Sequence, residues 1–239
     1  ADLDKRTGDC YGAQPLFSVL LQIESVRQRL RKFAEVQAGL RGEGWRIIAA
    51  EERIMPEWGV KIGEVTLSGK IDRVDRHEKT GVLRVIDYKT SASERGPVGA
   101  HVRKAKPRDM EDDHTQWQCF DDAHDKPQRW LDLQLPLYAL AASMKWPEAP
   151  SVDAAYFCLP AAVDSIGLLE WKREAKSGAT WNDDLIASAK WCAEEAVRRM
   201  SAGTFWPPSE DVKHDDFADL LLDDAQAAVC EPGAWEVVT

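Results

Sequence analysis

Two hydrophobic rhythms organise the chain from Leu16 onward. Val19, Ile23, Val26, Leu30, Phe33 and Leu40 recur at helical spacing, with Gln37 as the one polar break, while Gln22, Glu24, Arg27, Arg31 and Glu35 fill the opposite face. This spacing predicts a long amphipathic helix stopped by Gly42 and Gly44. Ile47, Ile48 and Ala49 then sit between those glycines and the Met55-Pro56 break, and predict a strand over Trp45 to Ile54. Val65 to Asp75 predicts a second strand, His77 to Gly81 a turn, and Val82 to Lys89 a strand returning antiparallel to it.

The rhythm stops after Lys89. Residues 91 to 128 are rich in charge, Gly and Pro, and their lack of an apolar period predicts a long, mobile insertion. Its first half is a basic run from Arg95 to Arg108, and its second half is acidic, from Asp109 to Asp125. Structure resumes at Trp130. Asp132 is the expected N-cap of a helix reaching about Met144, with Pro136 in its first turn and Gln134 and Tyr138 on one face. Val152 to Leu159 predicts another strand, and Ile166 to Trp171 its hairpin partner. Asn182 then caps a last helix, with Asp183 and Asp184 in its first turn and a buried stripe of Ile186, Ala189, Ala193, Val197 and Met200. Phe205-Trp206-Pro207-Pro208 opens an irregular tail, and residues 1 to 14, without a period, form a loose lead-in. The order of elements predicts one α/β domain over residues 1–239, a central mixed sheet flanked by helices.

Composition narrows this picture. Hydrophobic residues make up 44% of the 239, enough for a core of that size, and no run approaches a membrane span. The opening Ala-Asp-Leu-Asp-Lys-Arg lacks the apolar centre of a signal peptide, so a cytoplasmic location is expected. The cysteines at 10, 119, 158, 192 and 230 show neither C-x-x-C nor a Cys/His cluster, which indicates no zinc site or disulfide framework. A net charge of −10 counts against a nucleic-acid partner. Footprints are local, however. Arg27, Arg29, Arg31 and Lys32 form one basic cluster; Arg103, Lys104, Lys106 and Arg108 form another, suited to tethering a nucleic-acid strand, with a merely solvated insertion as the alternative.

The chemistry concentrates between Ser68 and Thr90. A strand period of two puts Leu83, Val85, Asp87 and Lys89 on one face, and Asp72 on the partner strand aims at the same point. Converging carboxylates repel unless a cation sits between them, and a hard divalent cation with oxygen ligands is the simplest such partner. An isolated D-x-K is more often an exposed ion pair. Asp75 is expected to pair structurally with Arg73 or Arg76. The histidines at 77, 101, 114, 124 and 214 lack ligand spacing and are expected at the surface.

Gly69-Lys70-Ile71-Asp72-Arg73-Val74-Asp75, then Val85-Ile86-Asp87-Tyr88-Lys89-Thr90, then Gln134-Leu135-Pro136-Leu137-Tyr138 resemble, in this order, the PD-(D/E)XK nuclease superfamily. Within it the motifs are most similar to RecB-like nucleases. The resemblance implies a restriction-endonuclease-like core and a Mg²⁺- or Mn²⁺-dependent DNA nuclease, an exonuclease of repair and recombination, with DNA and a helicase domain or subunit as partners. It makes Asp72, Asp87 and the Tyr88 carbonyl metal ligands and Lys89 the catalytic lysine. Gln134 and Tyr138 become the helical motif beside the site, where Gln134 hydrogen-bonds the lysine or a phosphate.

Two departures stand out. Relatives with an iron-sulfur cluster carry grouped cysteines where this chain has only Cys230, so no cluster is expected. RecB-like nucleases also present a His or Glu ligand from an upstream helix, yet no histidine precedes Asp72. Glu35, Glu51 or Glu52 could stand in, with Glu51 preferred; otherwise the chain is a fragment of a longer polypeptide. A nuclease-fold module that has lost catalysis and serves as a DNA-binding or scaffolding domain is the rival reading. No G-x-S-x-G or Walker loop points to another hydrolase.

Overall fold

A computed structural model describes residues 2–90, 96–173 and 179–204. Arg95, the tail from Phe205, His214 and Cys230 lie outside the described residues. The chain opens with helix α1 (Asp2–Tyr11) where a loose lead-in is expected. This segment lacks an apolar stripe, so its sequence carries no helical period. Its helix is tied instead by a polar contact, Arg27 donating to Asp4 at 2.6 Å, and this bond holds the Asp4 carboxyl down at about 2. Helix α2 (Phe17–Gly42) follows and ends near the predicted glycines. Gly44 turns the chain with φ +103, and a Cβ there would also press on the His77 ring at 3.4 Å.

Strand β1 (Trp45–Ile54) has the predicted bounds. After β2 (Lys61–Ile62) and β3 (Val65–Thr66), a small hairpin, come β4 (Gly69–His77) and β5 (Leu83–Lys89). The insertion contributes α3 (Pro97–His101), β6 (Val102–Lys104), α4 (Pro107–Glu111), β7 (Cys119–Asp121) and β8 (Pro127–Trp130). The chain then forms α5 (Gln134–Lys145), β9 (Val152–Cys158), β10 (Gly167–Glu170) and α6 (Asp183–Ser201). The main sheet runs β1-β4-β5-β9-β10. Only β5 and β9 pair in parallel; the other neighbours are antiparallel. A parallel pair requires a crossover, and α5 supplies it.

Alternation along β5 and β9 separates two cores. Leu83, Val85, Ala154 and Tyr156 pack with Leu135, Ala139 and Ala142 of α5 and Leu185, Ala189 and Cys192 of α6. Ile86, Ala155 and Phe157 pack with Leu40, Phe33 and Val36 of α2. Covered on both faces, β9 reads as a near-continuous apolar run broken only by Asp153, whereas β5 carries Arg84, Asp87 and Lys89 among its apolar positions. The central mixed sheet flanked by helices is the architecture expected from the sequence. In α6 the stripe is rotated: Leu185, Ala189, Cys192 and Ala193 are buried, whereas Met200 is exposed. The Asn182 cap forms as expected, its Oδ1 accepting from the Leu185 N–H at 2.8 Å.

The stretch 91–128, expected to be irregular, carries regular structure over its described part. Strands β6, β8 and β7 form a separate antiparallel sheet. Its organising residue is Asp109, which accepts from Arg103 and Arg129, each at 2.6 Å, and from the Lys106 N–H at 2.7 Å. The Arg103 bond chiefly holds the Asp109 carboxyl well below the usual range. Phe120 stacks on Trp130 at 4.8 Å, and Trp130 leads through Trp171 to Trp181, joining this small sheet to the main core. Charged clamps and aromatic stacks hold these short strands, so no two-residue alternation marks them.

Candidate active site

The β4–β5 ladder fixes Arg73 opposite Ile86, and one step further along the same register stand Asp72 and Asp87. There the Tyr88 N–H donates to Asp72 Oδ2 at 3.0 Å, so a side chain takes the place of a strand carbonyl. Asp72 remains partly exposed, while Asp87 is buried. Lys89 Nζ approaches Asp87 Oδ2 to 2.7 Å. This close contact is an ion pair, and that buried oxygen finds no other donor among the described residues. Burial raises the Asp87 pKa, the Lys89 charge opposes the rise, and the nearby Asp72 charge adds to it. The charge of Asp72 thus acts on Asp87 from the adjacent strand.

These donors suit a hard divalent cation. Two carboxylates, one with a buried oxygen short of donors, and the carbonyl of Tyr88, between Asp87 and Lys89, all offer oxygen atoms. Mg²⁺ commonly takes only one or two protein carboxylates and fills its shell with water and phosphate. Among the described residues, no group of three or more His, Cys, Asp or Glu side chains is arranged to hold a metal. Glu51 lies between the paired positions Ala50–Arg73 and Glu52–Ile71, hence level with Asp72 on the adjacent strand. It has φ +54, in the left-handed region, and its exposed carboxylate is paired with Lys70. Glu52 pairs with Lys145 on α5, and Glu35 with Lys32 on α2.

Gln134 and Tyr138 share a helical face, Gln134 Nε2 donating to the Tyr138 hydroxyl at 3.2 Å. The Tyr138 ring stands against Gly69, 3.7 Å from where a Cβ would be, so this motif borders the start of β4. Asp132 accepts from the Gln134 N–H at 2.7 Å, close to the predicted capping role, although Leu133 occupies the N-cap position itself. Asp75 pairs with Arg73 as expected: both are buried, and Nε donates to Oδ1 at 2.6 Å. Of the basic residues assigned to nucleic acid, Arg103 is turned inward onto Asp109, while Lys104, Lys106 and Arg108 are exposed.

His101 overturns a sequence-based expectation. It is fully buried rather than at the surface, and it packs behind the site between Tyr156 and Trp171. Its helix α3 is too short to show a period. The available signal was its setting, Val98-Gly-Ala-His-Val102, a small apolar island in a charged stretch.

A family model described as the PD-(D/E)XK nuclease superfamily matches residues 12–221, a span from before α2 to beyond α6. Among curated proteins and among solved structures the chain has no match. Among the described residues no helix is long and apolar enough to cross a membrane.

Proposed function

The chain belongs to the PD-(D/E)XK nuclease superfamily, and on that footing we propose that it is a Mg²⁺- or Mn²⁺-dependent deoxyribonuclease, an exonuclease of the RecB-like kind. Membership itself suggests nuclease activity with DNA as the substrate. The observation that carries the metal-dependent reading is the convergence of Asp72, Asp87 and Lys89 where the β4–β5 ladder ends, with an Asp87 oxygen buried and short of donors; the exonuclease and RecB-like character rests on the order and spacing of the motifs.

Asp72, Asp87 and the Tyr88 carbonyl would hold the cation, with Glu51 as a further carboxylate once released from Lys70. A divalent ion bound there supplies Lewis-acid polarisation of the phosphate and a lowered pKa for water. Lys89 would orient the attacking water, or deprotonate it after giving up its own proton to solvent, and as an ammonium would stabilise charge developing on the phosphate. Gln134 and Tyr138 steady the start of β4, and through it Asp72. Action in repair or recombination, beside a helicase domain or subunit, rests on the order and spacing of the motifs alone.

The diverted carboxylate of Glu51 favours a second reading, an inactive nuclease-fold module that binds DNA or scaffolds an assembly. Labelled single- and double-stranded DNA, incubated with Mg²⁺, Mn²⁺ or EDTA, separates the two. Metal-dependent cleavage abolished by Asp87→Ala and Lys89→Ala supports the nuclease. Cleavage indifferent to both substitutions removes the assignment, and DNA binding without cleavage supports the module.

A further inference from the structure

Behind the metal-and-lysine site runs a buried polar chain that the proposed hydrolysis does not use. His101 Nδ1 is 2.8 Å from the Asp132 carbonyl, and Nε2 is 2.7 Å from the Tyr156 hydroxyl. A carbonyl only accepts, so Nδ1 carries the proton, Nε2 is the acceptor and Tyr156 donates to it. Burial chiefly lowers the His101 pKa, which keeps the ring neutral and this sequence of donors fixed. The Asp132 carboxylate is 3.5 Å from Nδ1 on the same side.

The far end of this chain is the ring of Tyr156. On β9, Tyr156 is the register partner of Asp87, and Cys158 that of Lys89. Lys89 Nζ lies over the Tyr156 ring, 4.8 Å from its centroid. The lysine therefore has a carboxylate on one side and an aromatic face on another. Such a face attracts an ammonium and still lets it slide, which a second carboxylate would not. The hydrogen bond to His101 fixes the hydroxyl end of the ring, and the tight burial of Tyr156 restrains its rotation, so the face offered to the lysine keeps one place. His101 is itself anchored, its carbonyl accepting from the N–H groups of Leu131 and Asp132 at 2.8 and 3.3 Å.

We propose that Tyr156, locked by His101, is a positioning residue for Lys89: its ring is the surface on which the amino group moves between Asp87 and the scissile phosphate. His101 thereby couples the small sheet of β6, β8 and β7, whose exit at Leu131 and Asp132 closes onto its carbonyl, to the placement of the lysine. The inference rests on the reading of Lys89 as the catalytic amine, and its test separates the two.

The direct measurement is the NMR signal of the Lys89 ε-methylene in protein labelled with ¹³C at lysine Cε, assigned by its loss in Lys89→Arg. Placement over the ring shifts this signal upfield of the other lysines. The shift persists in Tyr156→Phe with broadening and vanishes in Tyr156→Leu. A Lys89 signal among the ordinary lysines in the unsubstituted protein overturns the proposal, and this result needs no variant to fold. In the cleavage assay, Tyr156→Phe and His101→Gln lower kcat by about 10- to 100-fold and leave KM within about twofold, the pattern of a misplaced catalytic group. A change in KM alone overturns it. A protein that shows the upfield signal but never cleaves DNA defeats the nuclease reading and leaves the positioning intact.

Discussion

The backbone N–H of Tyr88 donates to the Asp72 carboxylate at 3.0 Å, and this one bond joins the two strands at the point where their ladder has run out. It gives Asp72 two separable tasks, a structural acceptor and a negative charge. Asp72→Asn retains the acceptor and removes the charge. Its stability in urea should stay within about 1 kcal/mol of the parent. Metal-dependent cleavage should fall on the order of 100-fold or more, as when one electrostatic stabiliser is lost. Equal stability with undiminished cleavage would take Asp72 out of the ligand set.

Glu51 combines a left-handed backbone with an exposed carboxylate. Glycine adopts that conformation without the steric cost, so Glu51→Gly should stabilise the fold by about 1 kcal/mol, read from the urea midpoint. If its carboxylate also serves the cation, the same variant binds Mn²⁺ more weakly in calorimetry. A gain in stability with unchanged Mn²⁺ affinity assigns Glu51 to the surface.

The Arg73–Asp75 pair is almost wholly buried, at 1% and 0% side-chain exposure. Removing one partner strands a charge in the core, and Asp75→Ala should cost about 3–5 kcal/mol in chemical unfolding. Arg73 also lies 3.4 Å from the Tyr88 hydroxyl, so some loss of cleavage should accompany the loss of stability. Replacing both residues by apolar ones of similar volume should recover much of the stability.

The basic residues of the insertion should separate into two classes. Arg103→Ala breaks the Asp109 clamp and should expose the insertion to limited proteolysis. Combined Lys104→Ala, Lys106→Ala and Arg108→Ala should leave proteolysis unchanged and weaken DNA binding. On duplex DNA the slope of log affinity against log salt should shrink by about 0.9 for each phosphate that the protein no longer neutralises. An unaltered slope would place DNA elsewhere on the surface.

His101 sets a pH dependence for stability. Burial chiefly depresses its folded pKa below the ordinary 6.5, so between those two values the unfolded chain binds a proton that the folded chain refuses. Its neutral contribution is complete above the unfolded pKa and is lost as pH falls toward the folded one. Urea midpoints measured from pH 7 down to pH 5 should decline, and His101→Gln should flatten that part of the curve. Parallel declines would mean that other groups set the slope.

Local cues made some of this architecture legible and concealed the rest. Gly44 and Met55-Pro56 bracket β1 because a turn and a missing N–H leave marks at single positions. The register that sets Asp72 level with Asp87 on β4 and β5 was legible because strand alternation projects straight into geometry. The α6 stripe came out rotated, since Leu185 and Cys192 are chosen by what the sheet offers, which a helical wheel does not contain. His101 and Tyr156 lie 55 positions apart, in elements whose contact depends on how the insertion docks. Their pairing is a tertiary fact, and neither residue carries a mark of it alone.

The closure of the segment from Val102 to Trp130 upon itself has a consequence for how the fold can vary. Val102 pairs with Trp130, and the next two residues close onto the His101 carbonyl. Everything between is a cassette whose ends are set by two adjacent rungs of a small ladder. Lengthening such a segment costs only about 0.6 kcal/mol for each doubling. A different lobe could therefore be grafted between Val102 and Trp130 with the spacing of β5, α5 and β9 untouched.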